Sequence, residues 1–204
     1  MAEETLPATT RLVEGVTVET FAAPGLVAVT PPKHGDARGF LSETYGLERF
    51  ARLGINTPFV QDNHTFSAAK GTIRGLHFQI PPHAQGKLVR VVRGAILDVV
   101  VDIRHGSPTF GMATAVTLSA DNWRQFYVPP GFAHGFCTLT DNAEVLYRMT
   151  TYYAPEADRG LAFDDPALGI AWPVEPEKAI LSDKDRNHPR LGDLPAYFGD
   201  EPPR

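Results

Sequence analysis

A succession of short β-branched and apolar runs occupies residues 60–151, at 60–67, 72–79, 87–94, 95–103, 113–119, 124–129, 134–139 and 143–151. Turn formers punctuate them: Gly94, Gly106-Ser107-Pro108, Asp121-Asn122, Pro129-Pro130-Gly131 and Asp141-Asn142. Strands this short and this evenly spaced leave no room for crossover helices, so the pattern specifies a β-sandwich or barrel rather than βαβ units. Only residues 47–53 carry a helical pattern, with apolar residues at 47, 50, 51 and 53. Upstream, residues 1–13 read as a polar, flexible tail. Residues 16–30 read as two strand-like runs around Pro24-Gly25, and 31–39 as a polar loop leading into a short strand at 40–45. After Tyr153 the composition turns to Pro, Asp, Glu and Gly, yet Phe163, Leu168, Ile170 and Trp172 need burial, so this segment is expected to wrap the barrel. Residues 14–204 read as one domain without internal repeats.

Charge narrows the partners. The chain of 204 residues carries 24 acids against 19 bases, a net charge of −5, which gives no electrostatic case for nucleic acid or an anionic membrane. No apolar run approaches the roughly 20 residues of a membrane-spanning helix, and the start, MAEETLPATT, has no apolar core of the signal-peptide kind. The single cysteine, Cys137, excludes an intrachain disulfide and reads as a buried thiol, so a reducing cytoplasm is the expected setting.

Chemistry concentrates at residues 71–94, GTIRGLHFQIPPHAQGKLVRVVRG, two strand patterns around a Pro-Pro loop. Strand alternation puts Thr72, Arg74 and Leu76 on one face and Ile73, Gly75, His77 and Gln79 on the other. For Arg74 and His77 to reach one pocket the strand must bend between them, and Gly75 is where a bend is cheapest. The spacing resembles that of the cupins, small double-sheet jelly-roll barrels. Gly71 and His77 match the start of the first cupin motif, Lys87 and Gly94 its end, and Pro129 to His134 the second motif. Two ligand positions depart: Gln79 stands for a histidine and Lys87 for the acidic ligand. A fixed ammonium occupies the place of a divalent cation, so the resemblance implies a cupin barrel without a metal and with Lys87 as its built-in cation.

Further segments resemble the dTDP-4-dehydrorhamnose 3,5-epimerase family more closely. They are Gln61-Asp62-Asn63-His64, Arg74-Gly75-Leu76-His77, Gln85 to Arg90, Ser107 to Gly111, Pro130 to Phe136, Tyr152 to Pro155 and Leu181 to Asp185, all in order along the chain. The resemblance implies an all-β, cupin-like double-sheet jelly-roll barrel with a few short helices, acting as a cofactor-free isomerase on a nucleotide-linked 4-keto-6-deoxyhexose. By resemblance His77 is the base, Asp185 the carboxylate that orients it, Lys87 the oxyanion cation and Tyr147 the acid on the opposite face. Arg74 and Lys87 would meet the diphosphate or the sugar, and Gln61, Asp62 and Asn63 the nucleotide. Lys184 and Asp158 fall at ligand positions, and His134 lines the pocket. Asp98, alone in an apolar strand, reads as a buried partner of His134 or of His77. In this family the loop 36–43 of one subunit completes its partner's site, which implies a homodimer with Arg38 at the diphosphate or base and Glu43 at the thymine.

Blander readings stand beside these. A lone strand histidine is more often a packed residue than a catalyst, and a lone strand tyrosine more often a barrel wall. His34, His64, His83, His105 and His188 read as solvated loop residues. Three other functions stand as rivals: an epimerase of one carbon only, which shares these motifs, a metal-dependent cupin isomerase or oxygenase, and a sugar-binding or structural cupin without turnover. Gln79 and Lys87 argue against the metal enzyme. The pairing of His77 with Tyr147 argues against a pure binder, which needs no acid–base pair.

Overall fold

The computed structural model describes residues 4–199. In chain order the elements are β1 (Thr9–Val13), β2 (Val16–Thr20), β3 (Val27–Thr30), β4 (His34–Asp36), β5 (Gly39–Leu41), α1 (Leu47–Arg52), β6 (Gln61–Ser67), β7 (Ile73–Gln79) and β8 (Lys87–Arg93). There follow β9 (Ala95–Asp102), β10 (Ala113–Ser119), β11 (Gln125–Val128), β12 (Phe132–Thr138), β13 (Ala143–Met149), β14 (Asp158–Gly160) and α2 (Asp183–Arg186). A seven-stranded sheet runs β1-β2-β3-β11-β8-β13-β6 and a five-stranded sheet runs β10-β9-β12-β7-β14, with β4-β5 a separate hairpin. This is the expected all-β, jelly-roll-like double sheet.

The core lies between the sheets. Val89 and Val91 of β8, Phe126 and Val128 of β11, and Val145 of β13 meet Ile96 and Val100 of β9, Val116 and Leu118 of β10, and Phe132 and Phe136 of β12. Both outer faces are also covered. Phe50 and Leu53, in and just after α1, lie with Ile55 on Val16, Val18, Val27 and Val29. The segment after β14 covers the five-stranded sheet, bringing Leu161, Leu168, Trp172, Leu191 and Phe198 onto Leu97, Val99 and Val101. A strand buried on both faces has no need of alternation, which explains why β9 reads AILDVVVD with its apolar residues continuous. Asp98 shares the parity of Ile96 and Val100 and so points between the sheets. Cys137 is buried at 0% exposure, and burial pushes its thiol up to about 12.

Two stretches depart from expectation. Residues 9–13, read as part of a flexible tail, form β1 and pair with β2 from Thr9↔Thr20 to Val13↔Val16. The turn is Glu14-Gly15, both at positive φ, as in a tight two-residue hairpin. The strand is exposed almost throughout, so no apolar period marks it. The stretch read as a polar loop at 31–39 holds β4 and joins β5 in a solvent-facing hairpin, again without apolar alternation. Residues 1–3 of the expected tail and 200–204 of the wrapping segment lie outside the described residues.

Candidate active site

One end of the space between the sheets opens into a cavity of about 430 Å³ lined by Arg74, His77, Lys87, His134, Tyr147, Lys184 and Asp185, among others. Residues far apart in the chain meet here, and strand geometry accounts for each. His77 on β7 lies directly opposite His134 on β12, but the next registered pair is Arg74 with Phe136. Three steps along β7 therefore match two along β12, so β7 carries one extra residue, a bulge. The bulge reverses the alternation and turns Arg74 and His77 into the same cavity. Gly75 sits in it at φ +112°, where an added Cβ would lie 2.6 Å from the His134 carbonyl oxygen. Only glycine fits that place.

His77 Nε2 lies 2.6 Å from Asp185 Oδ1. Asp185 is 5% exposed and sits in α2, whose N-cap Ser182 accepts a hydrogen bond from the Asp185 backbone N–H. Burial works to raise the Asp185 pKa, but the imidazoles of His188 and His77 facing it prevail and hold the carboxyl well below the usual range. An ionised carboxylate only accepts, so the Nε2 proton belongs to His77 and Nδ1 is the nitrogen left to take a proton. Tyr147, on β13 with the inward parity of Val145 and Met149, lines the same cavity from the other sheet. Lys87 opens β8 and donates from Nζ to the His77 carbonyl oxygen at 3.2 Å. Burial pushes its pKa down to about 8, against the upward pull of Asp98 and Asp158.

His134 forms a second histidine–aspartate pair. Its Nε2 lies 3.1 and 3.0 Å from the two Asp98 oxygens, and Asp98 is wholly buried. Of the two partners open to it, Asp98 has taken His134. Burial drives the His134 pKa down against the pull of Asp98.

The cavity continues past Tyr147 into a groove of about 320 Å³ that adds Gln61, Asn63, Gln85, Tyr153 and Asp158. Lys184 Nζ meets Asp158 Oδ2 at 2.5 Å, and the Tyr153 hydroxyl donates to the same oxygen at 2.9 Å. Gln61 Nε2 donates to Asn63 Oδ1 at 3.0 Å. Arg74 is anchored by Nε to Ser67 Oγ and by Nη2 to the Phe66 carbonyl. Three expected ligands are not in this constellation. Asp62 falls on the opposite face of β6, where Arg148 Nε reaches it at 3.1 Å, because residues one apart in a strand face opposite ways. Arg38, its side chain 90% exposed, pairs with Asp36 at the tip of the β4–β5 hairpin, and Glu43 pairs with Arg49.

Sequence reasoning also misplaced a histidine. His188, read as solvated, is packed inside: its side chain is 9% exposed, its ring stands edge-on to His77 with centroids 5.5 Å apart, and its Nε2 lies 3.5 Å from Asp185 Oδ1. The polar setting NHPR gave no hint of burial; its spacing of three from Asp185 was the available signal.

As to metals, His77, Asp185 and His188 form the one group among the described residues with donor atoms close enough, within 4.8 Å, to share an ion. Two ligands on one tetrahedral zinc at about 2.0–2.1 Å stand roughly 3.3 Å apart, so the 2.6 Å contact of His77 with Asp185 is a hydrogen bond and not a prepared metal edge. At the cupin ligand positions Gln79 is spent on the backbone, donating to the His83 and Tyr152 carbonyls and accepting from the Ala154 N–H. With Lys87 beside it, that donor set does not fit a divalent cation.

Comparison with known proteins agrees with this geometry. The sequence matches the profile of a family described as dTDP-4-dehydrorhamnose 3,5-epimerase over residues 20–193. A dTDP-4-dehydrorhamnose 3,5-epimerase of Sinorhizobium fredii is 49% identical over 170 residues, covering 83% of this chain and 87% of the relative. A crystal structure of the Bacillus anthracis dTDP-4-dehydrorhamnose 3,5-epimerase, with TDP and pyrophosphate bound, superposes with a TM-score of 0.83 at 47% identity, covering 86% of this chain and 99% of that one. The Legionella pneumophila dTDP-6-deoxy-D-glucose-3,5-epimerase in complex with dTDP-4-keto-L-rhamnose gives 0.84 at 43% identity, covering 89% and 95%.

Proposed function

Because this chain belongs to the dTDP-4-dehydrorhamnose 3,5-epimerase family, we propose that it inverts C3 and C5 of a dTDP-linked 4-keto-6-deoxyhexose through enolates. The carrying observation is a histidine–aspartate pair and a tyrosine lining one cavity from opposite sheets, with a buried lysine among them. The C–H bonds at C3 and C5 are both α to the ketone and therefore acidic. His77 Nδ1 takes the proton, and Asp185 holds the ring in the right tautomer and stabilises the imidazolium. The pair of electrons left on carbon moves to the ketone oxygen, where the Lys87 ammonium meets the developing charge. Tyr147 then returns a proton to the opposite face, which inverts the centre. Arg74 and Lys184 are the cations for the diphosphate, and Gln61 and Asn63 supply amides to the nucleotide.

The stretch 36–43, from the tip of the β4–β5 hairpin to just past β5, is read as part of a partner's site in a homodimer, with Arg38 at the diphosphate or base and Glu43 at the thymine. Mixing Arg38→Ala with His77→Asn protein should restore part of the lost activity through heterodimers that carry one intact site; no recovery on subunit exchange places Arg38 outside the partner's site. A buried, unpaired thiol at Cys137 suits a reducing cytoplasm. No helix among the described residues is long and apolar enough to cross a membrane.

The reading is tested by incubating the protein with dTDP-4-keto-6-deoxyglucose in D₂O and following both carbons by NMR. Deuterium entering with inversion at C3 and C5 is the expected result. Exchange at one carbon alone makes the protein a single-carbon epimerase, and no exchange at either overturns the assignment.

A further inference from the structure

His188 packs against the proposed base, and the proposed reaction leaves it unused. Its position depends on a gap in the neighbouring strand. Gly160 of β14 is registered opposite His77, and a Cβ added there would lie 2.3 to 2.4 Å from three atoms of the His188 ring. The missing side chain is what admits the imidazole. Once admitted, the ring stands at 85° to that of His77, so its edge limits the rotation of the neighbouring ring. Its Nε2 is buried without a hydrogen-bond partner among the described residues, and Asp185 Oδ1, the oxygen that holds His77, lies 3.5 Å away. A second cleft, of about 490 Å³, is lined by Asp158, Gly160, Lys184 and His188, so His188 touches this cleft as well as the His77–Asp185 pair.

We propose that His188 is a positioning residue, whose Nε2–H draws on the Asp185 carboxylate while its ring holds His77 in one rotamer. The carboxylate is then anchored from two sides and stays ionised, and its oxygen stays aimed at His77 Nε2. Without the second donor Asp185 has a wider choice of rotamers, and fewer of the bound complexes present Nδ1 to the substrate at any moment. The loss falls on turnover and spares binding, because His188 is not among the residues lining the cavity. This rests on the epimerase reading of the same site.

The test compares two replacements. His188→Phe keeps a ring and removes the N–H; His188→Gln keeps an N–H and removes the ring. A positioning donor predicts that His188→Phe loses about tenfold in kcat with KM within twofold of the parent, the usual worth of a group that orients a reacting imidazole. His188→Gln should recover most of that loss. Full kcat in His188→Phe, or a His188→Gln protein as slow as or slower than His188→Phe, overturns the proposal and leaves the ring as packing. If His188→Phe does not fold, Gly160→Ala decides: it displaces the ring without altering any cavity residue, and must reproduce the kcat loss at unchanged KM. A second readout needs no sugar. In the ligand-free protein the NMR signal of the His77 Nε2–H bound to Asp185 should exchange faster with water in His188→Phe and return towards the parent in His188→Gln. If the parent protein proves inactive on the sugar while this signal behaves as expected, the epimerase reading fails and the positioning role stands. An unchanged signal in His188→Phe sinks the role itself.

Discussion

His77 and His134 face each other across paired strands, each with an aspartate on its ring and both on the wall of the same cavity. They differ in what surrounds the pair. Asp98 projects from the middle of a strand buried on both faces, and His134 is 7% exposed, so burial disfavours the imidazolium and keeps that histidine neutral. Asp185 comes from a short helix in the wrapping segment, and His77 is one-third exposed, its side chain at 33%. A base must gain and release a proton within each catalytic cycle, which needs both a carboxylate behind it and access in front. His77 has both. His134 has the carboxylate without the access, so its imidazole serves as a fixed, neutral part of the wall beside Lys87. The difference teaches that the same side-chain pair suits proton transfer in one setting and packing in the other, according to how much of the imidazole is left open.

The sharpest way to break this contrast is to remove each ring in turn. His77→Asn should fold, bind TDP, and lose about 10³- to 10⁴-fold in deuterium exchange at both carbons. His134→Asn should instead cost about 3 kcal/mol in urea unfolding, because the wholly buried Asp98 carboxyl loses the imidazole N–H it accepts from, while the folded fraction continues to exchange. Equal loss of exchange in two equally stable proteins would make the pairs equivalent and end the distinction. Next in size is Tyr147→Phe. With His77, Asp185 and Lys87 in place, C–H cleavage continues, but the enolate is reprotonated from the face it lost its proton. Deuterium should appear in uninverted substrate while net epimerisation falls by about 10²- to 10⁴-fold. If exchange and inversion stop together, the phenol serves enolate formation, and its assignment to the opposite face must go.

Lys87 sharpens the comparison further, since it lies between the two pairs. With its pKa pushed down to about 8, the ammonium is charged at neutral pH and is lost as pH rises through that value. Exchange should fall on the alkaline side near pH 8, and in Lys87→Met it should be lower by about 10²- to 10³-fold with no bend there. A parent profile flat to pH 10 would show that the charge does not take part. The smallest effect concerns stability. The His134 pKa is lowered in the fold, so below the unfolded value of about 6.5 the unfolded chain binds the extra proton and the folded chain does not. Its contribution is present above that value and is lost as pH falls. His134→Gln should therefore flatten the change in unfolding free energy between pH 7 and pH 5; an unaltered slope would mean that His134 titrates alike in both states.

Much of this molecule was legible in its residues alone. Regular short runs between turn formers specified a sandwich or barrel, resemblance to the cupins narrowed it to the double sheet, and the Phe, Leu, Ile and Trp of the last segment specified that it must wrap, because strand alternation and burial are local properties of composition and spacing. His77, Lys87, Tyr147 and Asp185 were singled out by resemblance to family motifs, and the structure brings the four to one cavity. Strands without a buried face were not: β1 and the β4–β5 hairpin are made by backbone pairing and turn geometry, which leave no apolar period to read. Nor could the residues alone say which aspartate serves which histidine, or that Asp62 turns away while Gln61 and Asn63 turn in. The bulge at Gly75 was foreseeable as a need and became definite only in the register of β7 on β12. His188 shows the limit most plainly. Its own neighbours in the chain are polar, and what buries it is the absence of a side chain at Gly160, a residue on another strand. Contacts between segments far apart in sequence, and the spaces left open between them, are decided only when the sheets close.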